Sequence, residues 1–283
     1  MEANLTAPGP KQSVDRETAF ATSAASAQRG AIITTSWDDG HPLDMRLAEM
    51  LARHGIPATF YVPRSSEFGT MPAANVREIA RGFEIGAHTL SHGVLTNAGD
   101  GEAWREISAS RRWVEDVTGR PCIMFCPPSG RFARCHIAMA RRAGYLGLRT
   151  AELTSLDFPR PVSGLLIQPT SVQAYPHTVR ACARNAIRRR ALSNLLRFVV
   201  HGRSGDWVTL ASSLLGDAAR QGGVFHLWGH SWEIEQASQW QRLSDVLRLL
   251  GDQVRSLTAL TNGELCRRTI AGQGRRPGTI AGA

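Results

Sequence analysis

The 283-residue chain lacks several features that would assign it to other protein classes. Lys11 is its single lysine, so the net charge of +9 rests almost wholly on arginine. No apolar run approaches the roughly 18 residues of a membrane-spanning helix. Its five cysteines include no Cys-x-x-Cys pair, which indicates reduced thiols in a reducing compartment. An apolar share of 42% is still enough for a packed core.

Acidic residues are missing from one long stretch. No Asp or Glu occurs between Phe158 and Gly205, whereas eight arginines do. We expect a basic helical insertion around 178–205. A solvated face is the usual explanation of such a charge run, but a basic helix with bulky apolar residues also suits an anionic membrane surface or a lipid-linked sugar. No nucleic-acid motif is visible, so we expect no nucleic-acid partner.

The two ends of the chain are expected to be disordered. Residues 1–30 lack the positive start and the apolar core of about 7–15 residues that a secretory signal needs. We therefore expect a disordered leader on a cytoplasmic protein, with a peripheral position at the inner membrane surface if the basic segment binds lipid. The Gly/Arg-rich residues 269–283 predict a disordered tail. Residues 31–268 then form a single domain.

Strand-like and helix-like segments alternate through this domain with short links. Predicted strands cover 59–62, 83–87, 123–125, 145–150, 165–168 and 224–228, and predicted helices include 73–81, 102–118, 133–143 and 235–250. Such alternation predicts an α/β fold in which parallel βα units close into a barrel with outer helices.

Two adjacent acids end the first apolar strand. Residues 31–33 are apolar and β-branched, and they lead to Asp38, Asp39 and Gly40, where the glycine frees the backbone to turn. Acids at the C-terminal tip of a strand lie at the edge where α/β proteins carry out chemistry. Asp-Gly is also a common turn dipeptide, so this stretch alone fits a capped turn equally well.

Two histidines follow a second strand. Residues 83–87 run into His88 and His92, which can face the same way if the chain turns helically after the strand. Together with an acid, two imidazoles suit a divalent transition metal that keeps open positions for water and substrate. Solvated surface histidines are the alternative.

These motifs resemble those of the polysaccharide deacetylases with the NodB homology domain, carbohydrate esterase family 4. Residues 36–40 (Ser-Trp-Asp-Asp-Gly) are similar to the first motif of that family, usually Thr-Phe-Asp-Asp-Gly. Residues 88–92 (His-Thr-Leu-Ser-His) are similar to the second, His-Ser/Thr-x-x-His. Residues 125–130 (Phe-Cys-Pro-Pro-Ser-Gly) resemble the third, usually Phe-Arg-Pro-Pro-x-Gly. The resemblance implies a distorted (β/α) barrel of the NodB type.

The resemblance also implies an activity and its residues. The expected reaction is metal-dependent hydrolysis of a non-peptide carbon–nitrogen bond, which removes the N-acetyl group of an amino sugar. The sugar would belong to a polysaccharide, an oligosaccharide or a lipid- or nucleotide-linked precursor, as in exopolysaccharide biosynthesis. Asp39, His88 and His92 would hold a divalent ion, expected to be Zn²⁺, and Asp38 would be the general base.

A late histidine is the expected general acid. His230 follows a late strand, as does the family histidine that protonates the leaving amine, and His226 lies deeper in the same strand. His230 fits that role better, but His226 stays open.

The third motif departs from the family pattern. Cys126 stands where the family has an arginine, and a thiol cannot supply a charged bidentate fork. Arg149 is the nearest candidate replacement, although a solvated surface charge is as good an interpretation. Trp228 at the end of the late strand and Trp232 after it could stack on a sugar. The candidate substrate-binding residues are Cys126, Pro127, Pro128, Arg149, Trp228 and Trp232.

Two other functions stay open at this point. The site could act on an O-acetyl ester or a non-sugar amide, or the chain could be a non-catalytic sugar-binding module. The extra carboxylate Asp38 argues against the binding module, because a pure metal or sugar binder has no need of it.

Overall fold

The computed structural model describes residues 30–67, 69–176 and 206–273. The predicted leader, apart from residue 30, and the predicted basic insertion at 178–205 lie outside these ranges. No helix within them is both long enough and apolar enough to cross a bilayer.

One curved sheet organises the described residues. Its order is β6-β7-β5-β4-β3-β2-β1-β9-β8, and β10 pairs with β1. All these pairs are parallel except β6 with β7. The strands are β1 (Ala31–Asp38), β2 (Thr59–Val62), β3 (Glu84–Ala87), β4 (Met124–Phe125), β5 (Gly147–Arg149), β6 (Arg160–Val162), β7 (Leu165–Gln168), β8 (Val172–Gln173), β9 (Gly223–Gly229) and β10 (Thr258–Ala259).

Most helices lie outside the sheet and bury their apolar faces against it, whereas the helix that begins at residue 262 packs against inward-facing residues. The predicted α/β barrel of parallel strands with outer helices is thus confirmed, in the form of a curled half-barrel. The helices are α1 (Asp44–Arg53), α2 (Ala73–Ile79), α3 (Asp100–Thr118), α4 (Arg134–Ala143), α5 (Trp207–Gln221), α6 (Ser231–Gln236), α7 (Trp240–Gln253) and α8 (Asn262–Gln273).

Two sequence predictions about the C-terminal part are wrong. The single helix expected at 235–250 is two helices, α6 and α7, because the backbone at Ser238 turns into the left-handed region with φ 52°. The expected tail from residue 269 overlaps α8, which continues to Gln273. This helix is anchored by Leu265 and Cys266, which are fully buried. Residues 274–283 lie outside the described ranges.

Side chains alternate between an apolar outer face and a polar interior. Along β1, Ile33 and Trp37 belong to the core beneath the helices, whereas Thr34 and Ser36 point inward to His226 of β9. This is the period of two that a pleated strand imposes. Because neighbouring strands are parallel, the inward residues at their carboxyl ends collect at one end of the half-barrel.

The opposite end of the interior is closed by the first residue of α8. Asn262 donates through Nδ2 to the Tyr61 hydroxyl (2.9 Å) and accepts at Oδ1 from Gln168 (3.0 Å). The Tyr61 ring needs space that Gly86 leaves open, since a Cβ at that position would lie 2.5 Å from the ring. This part of the interior is therefore polar and hydrogen-bonded, while Ile32 and Val224 pack against Leu265 of α8.

His226 is a central member of this interior. It is fully buried, with Nδ1 2.7 Å from the Thr34 hydroxyl and Nε2 2.9 Å from the Ser36 hydroxyl. Burial, assisted by the positive charge of Arg149, lowers the pKa of His226 well below its usual value. The imidazole is thus neutral in the folded protein, which suits a structural rather than a proton-donating residue.

Replacing His226 with Ala should lower the free energy of unfolding by about 2–4 kcal/mol, because two buried hydroxyls lose a partner. It should also change the pH dependence. Below about pH 6.5 the imidazole takes up a proton in the unfolded chain but not in the native protein. The free energy of unfolding of the wild type therefore falls by up to about 1.4 kcal/mol per pH unit in that range. Denaturant unfolding at pH 7.5 and 5.5 measures both effects. Equal losses on acidification in the two proteins would contradict this assignment.

Candidate active site

A buried ion pair lies at the carboxyl ends of the strands. Asp38 is the last residue of β1, and both of its carboxylate oxygens accept from Nη2 of Arg149, the last residue of β5. The guanidinium carbon of Arg149 is 5.2 Å from the centre of the Tyr61 ring and 4.7 Å from that of Trp228. Arg149 is only 1% exposed, so its interpretation as a solvated surface charge is wrong.

Cys126 lies beside this ion pair. Its Sγ is 3.9 Å from Asp38 Oδ2, and burial raises the pKa of the thiol well above its usual value. The thiol is therefore neutral and supplies no charge to the site. Its backbone carbonyl accepts from Nδ1 of His88 at 2.7 Å. A carbonyl can only accept, so Nδ1 carries the proton, and Nε2 of a neutral His88 presents a lone pair.

The residue after β1 turns away from the strand. Asp39 has φ 77° and Gly40 has φ 61°, so two consecutive residues adopt the left-handed conformation. A side chain at position 40 would also collide with Val62, 2.5 Å from an added Cβ. A left-handed aspartate is uncommon, and such strained backbone concentrates at functional sites. The turn directs the two adjacent carboxylates to different partners.

Three ligand atoms converge on one point. Asp39 Oδ1 lies 3.0 Å from Nε2 of His92 and 3.3 Å from Nε2 of His88. This oxygen is buried and has no hydrogen-bond donor of good geometry among the described residues. Burial raises the pKa of Asp39, but the two imidazoles and the charge of His230 lower it further, and the net pKa lies below the usual value. One carboxylate oxygen and two imidazole nitrogens at these distances form a donor set that fits a divalent metal.

The loop that carries the two histidines is held by a residue that the sequence did not suggest. Glu106 on α3 accepts from the backbone amides of Leu90 and Ser91, both at 2.8 Å, and from the Ser91 hydroxyl at 2.9 Å. Its carboxylate is almost fully buried. Glu106 is fourteen residues beyond His92, and no local motif connects the two in the sequence.

His230 faces both acids from the end of β9. Its Nε2 is 3.9 Å from Asp38 Oδ2 and 3.8 Å from Asp39 Oδ2. Its Nδ1–H donates to Glu233 Oε2 at 2.5 Å. Burial lowers the pKa of His230, but Glu233 and the two aspartates raise it to about 9. The imidazole is thus cationic at neutral pH. The sequence did not single out Glu233, although it lies three residues after His230, a spacing that suits a contact on one helical turn.

The two tryptophans have different surroundings. Trp228 is 7% exposed, with Arg149 over its ring and His230 edge-on at 5.5 Å. Trp232 is half-buried, and its indole Nε1–H donates to Asp39 Oδ2 at 2.8 Å. Trp228 therefore exposes little of its ring, because Arg149 and His230 pack against it, and its role as a sugar platform stays a prediction.

Five of the six predicted substrate-binding residues are buried. Direct contact of these five with a sugar stays a prediction. Trp232 alone of the six is partly open. The buried residues are Cys126, Pro127, Pro128, Arg149 and Trp228.

Known proteins share both the sequence and the fold. Residues 25–148 match the family model described as polysaccharide deacetylase. Peptidoglycan-N-acetylglucosamine deacetylase PgdA of Listeria monocytogenes is 31% identical over 100 residues, which are 35% of this chain and 21% of that protein. The chain thus matches about a fifth of the length of this relative.

Two solved structures have similar folds. A protein from Mycobacterium smegmatis described as a polysaccharide deacetylase is 14% identical, with a TM-score of 0.64 over 86% of this chain and 92% of that one. A family 4 acetyl xylan esterase from Clostridium thermocellum, in complex with a cobalt ion, is 16% identical, with a TM-score of 0.51 over 85% and 92%.

The family match and the fold agree with the residues at the site. The matched segment contains Asp38, Asp39 and both histidines, and the half-barrel is the fold of the similar structures. The resemblance noted in the three motifs is confirmed. Over residues 25–148, which carry its candidate metal ligands, this chain is similar to the polysaccharide deacetylase family.

Proposed function

We propose that this chain hydrolyses the N-acetyl group of an amino sugar at a divalent metal ion. The observation that carries the proposal is the convergence of the Nε2 atoms of His88 and His92 on one buried oxygen of Asp39. A carboxylate that is not needed as a ligand, Asp38, and a cationic imidazole, His230, face the same space. Metal ligands, a base and an acid are the set of groups that amide hydrolysis requires.

The metal set consists of Asp39 Oδ1 and the Nε2 atoms of His88 and His92. A divalent ion bound there would polarise the acetyl carbonyl and make water a better nucleophile. We propose Zn²⁺, which favours one carboxylate and two imidazoles with an open position. The cobalt ion in the Clostridium thermocellum esterase supports a divalent metal in this fold.

Asp38 is the proposed general base. Arg149 fixes its orientation, and a carboxylate has about four lone-pair positions, so acceptors remain for the proton of the attacking water. The guanidinium in turn is held between Tyr61 and Trp228. Arg149 thus supplies from β5 the charged fork that a thiol at position 126 cannot.

His230 is the proposed general acid. An amine departs slowly from the tetrahedral carbon until it is protonated, and His230 carries a proton at neutral pH. Glu233 accepts a hydrogen bond from Nδ1 of His230. The proton on Nε2 is then directed towards the two aspartates and the cleft. Gln173 donates to the same Glu233 oxygen at 2.9 Å and fixes it.

The substrate class follows from this acid and from the relatives. A dedicated proton donor matters most for an amine leaving group, which favours an N-acetyl amide over an O-acetyl ester. The listeria deacetylase, by its name, acts on N-acetylglucosamine of peptidoglycan. We therefore propose an N-acetylated hexosamine in a glycan or glycan precursor.

Acetate release tests the proposal directly. Native, chelator-treated and Zn²⁺-restored protein should be compared on N-acetylglucosamine oligomers, an O-acetylated xylan and a non-sugar amide. We expect activity on the N-acetyl sugars, loss with chelator and recovery with metal. Asp38→Asn should keep its metal while kcat falls by roughly 10²–10⁴, the usual effect of removing a positioned base.

The matched control is Asp252→Asn on the exposed side of α7, which should behave as wild type. Full activity of Asp38→Asn would show that Asp38 is not the general base. Acetate release that resists the chelator would show that the reaction does not need the metal.

Substrates with different leaving groups test the proposed general acid separately from the general base. His230→Ala should impair hydrolysis of N-acetyl substrates far more than that of activated acetyl esters, whose leaving groups depart without a proton. His226→Ala is the comparison variant, since that imidazole is neutral and deep in the interior. Measured kcat values on both substrates decide the question. Equal losses on amide and ester for His230→Ala, or an amide-specific loss for His226→Ala, would move the acid role elsewhere.

A further inference from the structure

We propose that Trp232 is a positioning residue for the candidate metal ligand Asp39, rather than a platform for sugar. Its indole N–H holds Oδ2, so that Oδ1 alone is presented to His88 and His92. The inference rests on the metal site of the proposed function and adds to it a residue whose loss should weaken metal binding itself.

The two oxygens of Asp39 have unlike surroundings. Oδ2 accepts from the Trp232 Nε1–H at 2.8 Å, whereas Oδ1 has no well-placed donor and lies within 3.3 Å of both histidine nitrogens. An N–H on one oxygen engages that oxygen's lone pair and fixes the plane of the carboxylate. The other oxygen is then the available ligand atom. Hydrogen bonds of this kind orient ligands and tune metal affinity.

The same hydrogen bond has a second effect through His230. The Nε2 of this imidazole is only 3.8 Å from Asp39 Oδ2, and its ring centre is 5.6 Å from that of Trp232. If Oδ2 lacked a donor, His230 could pair with it directly. The proposed proton donor would then be bound to the metal ligand instead of facing the leaving group. Trp232 thus keeps the two functions of the site apart.

The start of α6 explains why Trp232 can reach the carboxylate. This helix begins one residue after His230, and its Ser231 and Ile234 are fully buried. With those two side chains fixed in the interior, Trp232 lies at the edge of the site, half-buried. Its position is therefore set by packing of the helix.

The two roles of Trp232 predict different measurements. A sugar platform acts through the ring face, so Phe in its place would affect oligosaccharide affinity and leave the metal untouched. A positioning residue acts through the N–H, so Trp232→Phe removes the effect while keeping an aromatic ring. Metal affinity without substrate therefore distinguishes them.

The test is titration of Zn²⁺ into metal-free protein in competition with a chelator of known affinity. Trp232→Phe should bind Zn²⁺ roughly 10–100-fold more weakly than wild type, the usual effect of losing such a hydrogen bond. The matched control is Trp207→Phe, which removes an indole N–H bonded to Gln239 away from the site. This control should bind Zn²⁺ as wild type does.

The outcomes separate this inference from the proposed function. If the wild type binds Zn²⁺ and Trp232→Phe binds it with the same affinity, the role of Trp232 is overturned and the metal site of the proposed function stands. No Zn²⁺ binding by wild type overturns both. If the variant does not fold, the indole N–H signal of Trp232 in ¹⁵N-labelled wild type decides instead. It should be protected from solvent exchange in metal-free protein and shift on Zn²⁺ addition. A freely exchanging, unshifted signal contradicts the inference.

Discussion

The buried pair of Arg149 and Asp38 is the interaction on which the site depends. Taking two charges out of water costs several kcal/mol per ion, and removing one partner of such a pair typically costs 3–5 kcal/mol. The half-barrel meets this cost by enclosing the guanidinium between Tyr61 and Trp228 and giving both oxygens of Asp38 the same donor.

The backbone conformation directs the neighbouring acid, Asp39, away from this ion pair. At Asp39 and Gly40 the chain is left-handed, which separates two carboxylates that are adjacent in sequence. Asp38 is held by arginine and Asp39 meets the histidines, so each carboxylate has its own set of partners. The arrangement supports distinct proposed roles, with one carboxylate as base and the other as metal ligand.

Local patterns in the sequence predicted the longer strands, several outer helices and the grouping of Asp38, Asp39, His88 and His92, but not β6, β8, β10, α5 or α8. Each of these signals lies within a few residues. Contacts between distant segments could not be predicted in the same way, because only the folded sheet brings them together. The bond from Trp232 to Asp39 spans 193 positions, and the ion pair spans 111. Arg149 was a candidate by its strand position, but its burial between two rings depended on tertiary packing.

The central claim is that Arg149 acts on catalysis through Asp38. A double-mutant cycle on kcat with Asp38→Asn, Arg149→Met and the combined variant tests it most directly, since non-additivity measures the coupling between the two residues. We predict that Arg149→Met lowers kcat by roughly 10²-fold or more, as loss of a positioned base would. In the Asp38→Asn background the same change should have little further effect. Wild-type kcat for Arg149→Met, or losses that simply multiply in the combined variant, would contradict the account.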